Sequence, residues 1–177
     1  KGVMICNNDK DLDNAIDDMI VNKKFGEASN KISVEEFLYG EEVSIFAICD
    51  GENYKIINSA QDHKRAFDDD LGPNTGGMGA YSPSPMFDEK LRIKTEEQIL
   101  KPILKAMKYE GHPYKGFLYL GLMISNGDPY VIEFNVRLGD PEAQVVLPLL
   151  NIYVFWGEGI GFFLFTICIL CIAYRVL

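Results

Sequence analysis

Two apolar runs, Lys115–Ser125 and Pro129–Asn135, flank the dipeptide Asn126-Gly127. No other feature limits the fold so tightly. A two-residue loop in the favoured hairpin turn needs positive φ at both positions, and Asn followed by Gly takes that conformation at least cost. The two runs are therefore expected to pair as antiparallel strands. On the return strand Glu133 and Asn135 stand two apart, so they point the same way. A carboxylate beside an amide oxygen makes a hard-oxygen pair suited to Mg²⁺, or Mn²⁺ in its place. Arg137, two residues on, can hold a phosphate or a developing anion. The run closes with Gly139-Asp140-Pro141-Glu142. The same residues also read as a solvated strand face with a loop salt bridge, and the run by itself leaves both readings open.

Upstream, Val3–Cys6 is a short strand candidate, and Asn8 or Asp9 can cap a helix carrying Leu12, Ile16, Met19 and Ile20 on one face. Lys31–Phe37 reads as a strand, Glu42–Asp50 as a second and Tyr54–Asn58 as a third, the last two joined by the Asp50-Gly51 turn. Residues 59–87 are polar and glycine-rich with little periodicity, the kind of long loop that is functional or disordered. Asp88 can start a long helix through Leu91, Ile99, Ile103 and Met107, with a kink expected at Pro102. The expected class is α+β.

The 177 residues carry a formal net charge of −9. That suits one domain or a piece of a larger one. It argues against a nucleic-acid partner, because no basic patch is present to displace counterions. A nucleotide, which needs only a local positive site, remains allowed. Cys6, Cys49, Cys168 and Cys171 outline no disulfide framework, and the CxxC of the last two reads as filler in an apolar segment. The chain opens on Lys1-Gly2-Val3 without signal peptide or initiator Met, as if cut from something longer. At Asn151 the composition changes abruptly: residues 152–177 hold one acid, Glu158, and one base, Arg175. As a helix this tail would span about 39 Å, enough to cross a bilayer core of about 30 Å. Membrane segment, buried helix and aberrant end compete here, and the aberrant end is the favoured expectation.

Three further patterns carry chemistry. The loop Gly72-Pro73-Asn74-Thr75-Gly76-Gly77-Met78-Gly79 has four glycines in eight residues, so backbone N–H groups can approach an anion closely. It lacks the Lys and Ser/Thr of a P-loop, and a surface loop is its equal alternative. Gln61-Asp62-His63-Lys64-Arg65 follows a strand with two cations for phosphate oxygens, or is an exposed turn. Glu35-Glu36-Phe37-Leu38 with Glu41-Glu42 offers backbone groups for an adenine edge and a carboxylate for ribose hydroxyls, a pattern unspecific by itself.

Together, and in this order, these segments and Gly116-Phe117-Leu118-Tyr119 with Gly121-Leu122-Met123 closely resemble the phosphoribosylamine–glycine ligase (glycinamide ribonucleotide synthetase) family, ATP-grasp enzymes of purine biosynthesis. The resemblance runs from Lys1 to about Leu150. It implies a partial ATP-grasp fold, an antiparallel sheet core with flanking helices: residues 1–33 as the end of the lid subdomain, 34–150 as the catalytic core, and 151–177 as the apolar tail. It implies that ATP activates glycine to an acyl phosphate, which the amine of 5-phosphoribosylamine attacks. On that reading Lys1 belongs to the end of the nucleotide-covering lid. Glu35, Phe37 and Leu38 contact adenine, and Glu42 the ribose. Glu133 and Asn135 hold the metal. Arg137, Lys64 and Asp62 serve the reacting groups, while Asn74, Thr75, Gly76, Gly77, Met78, Gly79, Asp140 and Glu142 take the substrates. Three departures stand beside it. The family's first domain is missing, the apolar tail replaces a polar helix, and the strand matching Lys115–Ser125 has no metal carboxylate, which agrees with this family against other ATP-grasp enzymes. The resemblance further implies a cytoplasmic enzyme of small-molecule substrates, with membrane association only through residues 152–177. Another ATP-grasp carboxylate–amine ligase and a non-catalytic nucleotide-binding remnant are the alternatives.

Overall fold

The computed structural model describes residues 2–63, 65–67, 71–75 and 77–150. These fall into two units, divided between Tyr39 and Gly40.

In the first unit, Asn8 caps helix α1 (Asp9–Ile16): its side-chain oxygen accepts from the Asp11 N–H at 2.9 Å. A π-helical turn (Asp17–Val21) and a 3₁₀ turn (Gly26–Asn30) follow. Ala15 and Ser29 are buried, and the Ser29 hydroxyl accepts from the Phe25 N–H. The two strands expected here, Val3–Cys6 and Lys31–Phe37, do not form. Their apolar and β-branched residues suit a sheet, but a strand exists only by pairing, and neither run pairs with another among the described residues. Val3, Val34 and Tyr39 are accordingly exposed.

The second unit is built on a five-stranded sheet. Its strands are β1 (Glu41–Asp50), β2 (Tyr54–Asp62), β5 (Ala80–Tyr81), β6 (Lys115–Ser125) and β7 (Asp128–Asn135), in the order β5-β2-β1-β6-β7 with every neighbour antiparallel. A separate hairpin joins β3 (Arg65–Phe67) to β4 (Leu71–Asn74). The expected turn between β6 and β7 forms, with Asn126 at φ 52° and Gly127 at φ 78°. Asp50 closes the β1–β2 turn by accepting N–H bonds from Glu52 and Asn53 at 2.8 and 2.6 Å. These bonds hold its carboxyl below the ordinary range, the Asn53 bond contributing most.

Helix α2 (Glu89–Thr95), a π-helical turn (Glu96–Leu100) and α3 (Lys101–Tyr109) form one continuous run, capped by the Asp88 carboxylate on the Leu91 N–H at 2.8 Å. Pro102 sits in the first turn of α3, directly after the π turn, one of the irregularities that let a long helix carry a proline. Alternate residues of two strands face these helices: Val43, Ile45, Ala47 and Cys49 of β1, and Leu118, Leu120, Leu122 and Ile124 of β6. They close over Leu91, Ile99 and Leu100, and each large side chain buried there contributes roughly 1.5–3 kcal/mol. On the opposite face a smaller cluster of Phe46, Ala60 and Tyr119 packs against Val146 of the short helix α4 (Glu142–Val146).

The region from 59 to 87, expected as one irregular loop, is partly ordered. β2 runs on to Asp62 because β5 returns to pair with Gln61 and Asp62. Among the described residues no helix is long and apolar enough to cross a membrane. The tail with Cys168 and Cys171 lies outside the described residues, as do Lys1, Lys64 and Gly76.

Candidate functional site

The sheet face turned away from α2 and α3 gathers polar groups at one end. Register places Gly121 of β6 opposite Glu133 of β7, Tyr119 opposite Asn135, and Ser44 of β1 opposite Gly121. Paired residues on antiparallel strands share a face. Glu133 and Asn135 therefore stand side by side, and the Asn135 amide donates to the Glu133 carboxylate at 3.1 Å.

A β-bulge decides which face they take. Tyr130 and Val131 pair with Met123 and Leu122, but Glu133 pairs with Gly121, so Ile132 is an extra residue in the ladder. Without it, the register set by the hairpin turn would bring Glu133 opposite Leu120, whose side chain is in the helix-facing core. Gly121 completes the seat. A Cβ there would stand 3.0 Å from Glu133 Cγ and 3.2 Å from the Tyr119 ring, tighter than ordinary contact.

Asp62, at the end of β2, lies under the glycine-rich loop. A Cβ on Gly77, which has φ +125°, would meet Pro141 Cδ at 2.7 Å and Asp62 Oδ1 at 3.0 Å. Only glycine suits that conformation and that closeness. The loop is sewn to the strand end: the Met78 N–H donates to the His63 carbonyl at 2.7 Å and the His63 N–H to the Gly79 carbonyl at 2.8 Å. Thr75 turns its hydroxyl inward to accept from the Gly77 N–H at 3.1 Å. Met78 is left exposed at the surface. Asn74 ends β4.

After β7 the chain passes through Val136–Gly139 to a cis Asp140-Pro141 bond and α4. Arg137 is exposed, and its guanidinium donates to the Leu138 carbonyl at 3.0 Å. Asp140 accepts from Gln144 at 2.8 Å. Glu142 differs from the others: it is buried, at 4% exposure. The fold thus brings Glu133, Asn135, Asp62, the Gly77–Gly79 loop and the Asp140–Glu142 corner onto one unit. Glu42, the second residue of β1, lies on the same unit opposite Met123. Glu35, Phe37 and Leu38 belong to the first unit, where Glu35 accepts from Ser33 at 3.1 Å and the Phe37 ring meets Tyr39 edge-on at 4.7 Å.

The donor set fits a hard divalent cation. Glu133 and Asn135 supply two protein oxygens once the Asn135 amide turns half a revolution, and Mg²⁺ commonly takes one or two protein oxygens and completes its shell with phosphate and water. Among the described residues there is no cluster of three or more His, Cys, Asp or Glu ligands. A cavity of about 230 Å³ lies elsewhere, lined by Gly51, Tyr54, Lys105 and Tyr114 at the β1–β2 turn. Its lining includes none of these groups. Sequence reasoning missed Gly121 and Pro141 as members of this site. A glycine inside an apolar strand run was the available signal for the first.

Comparison with known proteins agrees with this geometry. The family model described as phosphoribosylglycinamide synthetase, ATP-grasp (A) domain, matches residues 1–143. Phosphoribosylamine–glycine ligase of Leptospira interrogans is 51% identical over 152 residues, covering 85% of this chain and 36% of the relative. The enzyme of the same name from Chlorobaculum tepidum is 47% identical over 151 residues, again covering 36% of its length. Among solved structures, phosphoribosylamine–glycine ligase of Thermotoga maritima superposes with a TM-score of 0.73 at 39% identity, over 84% of this chain and 38% of that one. The biotin carboxylase domain of a thermophilic 2-oxoglutarate carboxylase, at 16% identity and a TM-score of 0.52, shares the fold. The chain thus spans little more than a third of the relatives it matches.

Proposed function

From a chain that belongs to the phosphoribosylglycinamide synthetase ATP-grasp (A) domain family, we propose that it supplies the nucleotide- and metal-handling part of an ATP-dependent carbon–nitrogen ligase. The reaction is ligation of glycine to 5-phosphoribosylamine through a glycyl phosphate, yielding glycinamide ribonucleotide, ADP and phosphate. The observation that carries this reading is the Glu133–Asn135 pair, 3.1 Å apart on one strand face and seated opposite Gly121. The relatives' shared name supplies the substrates.

Each group has a task in phosphoryl transfer, where the protein contributes positioning and charge compensation. Bound Mg²⁺, or Mn²⁺, would neutralise charge shared between phosphate oxygens. Glu133 and Asn135 hold that ion. Arg137 is exposed at the surface and can exchange its Leu138 carbonyl for an anionic oxygen. Asp62 and Lys64 orient the reacting groups. The backbone of Asn74–Gly79 closes over the anion, helping to exclude the water that would hydrolyse an acyl phosphate. Asp140 belongs to the substrate side and Glu142, buried next to it in the chain, supports that corner, while Glu35, Phe37, Leu38 and Glu42 receive adenosine and Lys1 the phosphates. Substrates of this kind are free small molecules, which supports a cytoplasmic site of action.

The test is a chimera. Residues 2–150 replace the matching segment of the Thermotoga maritima ligase, and phosphate release is followed with glycine, phosphoribosylamine and Mg-ATP. Turnover in the chimera that disappears with Glu133→Gln is the expected result. A folded chimera that releases no phosphate would refute the assignment.

A further inference from the structure

Beneath the polar face lies a buried polar cluster drawn from three elements. Ser44 of β1 and Tyr119 of β6 are 6% and 4% exposed, and their hydroxyl oxygens are 2.8 Å apart. Ser44 donates a long bond, 3.5 Å, to the carboxylate of Glu142 on α4. Each hydroxyl has one proton, so the consistent ordering runs from Tyr119 to Ser44 to Glu142. Gly139 closes the cluster from above: a Cβ there would fall 2.2 Å from one Glu142 carboxylate oxygen and 2.8 Å from the other. A buried acid is expensive unless it is held by partners, and nothing in the packing of the apolar core calls for one at this point. A leucine at 142 would serve the Phe46–Val146 cluster at lower cost.

What the cluster touches gives it a purpose. The Gly139 carbonyl accepts from the Ala143 N–H at 2.9 Å and the Pro141 carbonyl from the Gln144 N–H at 3.1 Å, so the corner is tied to the helix that carries Glu142. Pro141 in turn abuts Gly77, which abuts Asp62. A continuous path of contacts therefore runs from Tyr119 through Ser44, Glu142, Gly139 and Pro141 to the glycine-rich loop. We propose that Ser44 and Tyr119 are positioning residues. Through the buried Glu142 carboxylate they lock the Gly139–Pro141 corner onto the sheet, and the corner sets the height of the Gly77–Gly79 loop over Asp62. None of the three need touch a reacting atom. The functional meaning of this lock, though not its existence, rests on the ligase reading above.

Amide hydrogen exchange on the full chain tests it, comparing the parent with Tyr119→Phe, Glu142→Ala and Glu142→Gln. In Tyr119→Phe and Glu142→Ala, exchange at Met78, Ala143 and Gln144 is expected to rise about tenfold while the strand amides of β1 and β6 keep the parent rate, as for local opening. Glu142→Gln keeps an oxygen acceptor for Ser44 and is expected to restore most of the protection. A rise spread equally over β1, β6 and these amides would mean a merely structural role and overturn the proposal. So would no rise at Met78, or a Glu142→Gln variant no better than Glu142→Ala. If Glu142→Ala does not fold, Tyr119→Phe, which removes a single oxygen, decides alone. Titration of the parent with Mg-ATP separates the two claims, because a parent that does not bind it sinks the ligase reading and leaves the exchange result standing.

Discussion

Glu133 is the residue on which most depends. Its hydrogen-bond partner Asn135 is neutral, so the carboxylate supplies the only charge of the pair proposed to hold the metal. Glu133→Gln keeps shape and hydrogen bonding but removes that charge. Mg-ATP affinity is expected to fall at least tenfold, about 1.4 kcal/mol, with little change in the unfolding midpoint because the site is exposed. Calorimetric titration with and without Mg²⁺ measures the first and thermal denaturation the second; equal affinities for variant and parent would remove Glu133 from the site. Asp50 makes a prediction of a different kind. Its folded-state carboxyl is held below the ordinary value of 3.8 by the Asn53 and Glu52 N–H groups. Its contribution to stability is then fully present above that ordinary value and is lost as pH falls through the depressed folded value. The parent is expected to exceed Asp50→Asn in urea midpoint at neutral pH, and the gap to close in strong acid. A gap that persists unchanged in acid would show that the charge is not what the turn uses. The same-face relation of Glu133 and Asn135 was legible at this scale from spacing alone. The glycine that seats them was visible as a letter, but its role depends on a contact across strands.

At the scale of elements, the ladder between β6 and β7 makes a paired prediction. Ile132 is the extra residue of the bulge, so its deletion leaves Glu133 opposite Gly121 and Asn135 opposite Tyr119. Mg-ATP affinity is expected to stay within about threefold of the parent, because the side-chain period of two is preserved on both sides. Deleting Phe134 makes Glu133 and Asn135 adjacent and turns them to opposite faces, and binding is expected to fall at least tenfold. The same titration reads both, and equal losses from the two deletions would contradict the register. In the turn, Gly127→Val places a β-branched residue at φ 78° and is expected to cost about 1–3 kcal/mol, read as a lower urea midpoint with an unchanged slope. Caps and turns at this scale follow from local chemistry, as Asn8, Asp88 and Asn126-Gly127 show. Strands are less legible. Val3–Cys6 and Lys31–Phe37 carry apolar and β-branched residues as β1 does but have no neighbour to pair with among the described residues, whereas β2 is lengthened by a partner that returns from residue 80.

For the whole molecule, the governing fact is that the chain covers about 36% of the ligases it matches. Holding reactants in register is worth about 7–11 kcal/mol of a barrier. The chain alone is therefore expected to release phosphate at least a thousandfold more slowly than a full-length relative, equivalent to about 4 kcal/mol. Phosphate-release assays on both, with glycine, phosphoribosylamine and Mg-ATP, measure it. Comparable rates would mean that the matched segment is sufficient for the reaction. What the sequence by itself determined is local and chemical: the hairpin turn, the helix caps, and the pairing of a carboxylate with an amide two residues apart. Those follow from φ preferences and from a side-chain period that needs no knowledge of neighbours. The tertiary structure alone decided the rest. Ile132 bulges and so turns Glu133 away from the core, Glu142 is buried under Gly139, and Pro141 comes to rest against Gly77 and Asp62. Each of these is a contact between residues distant in the chain, set by how the strands register and what packs over them, and no short stretch of sequence contains that information.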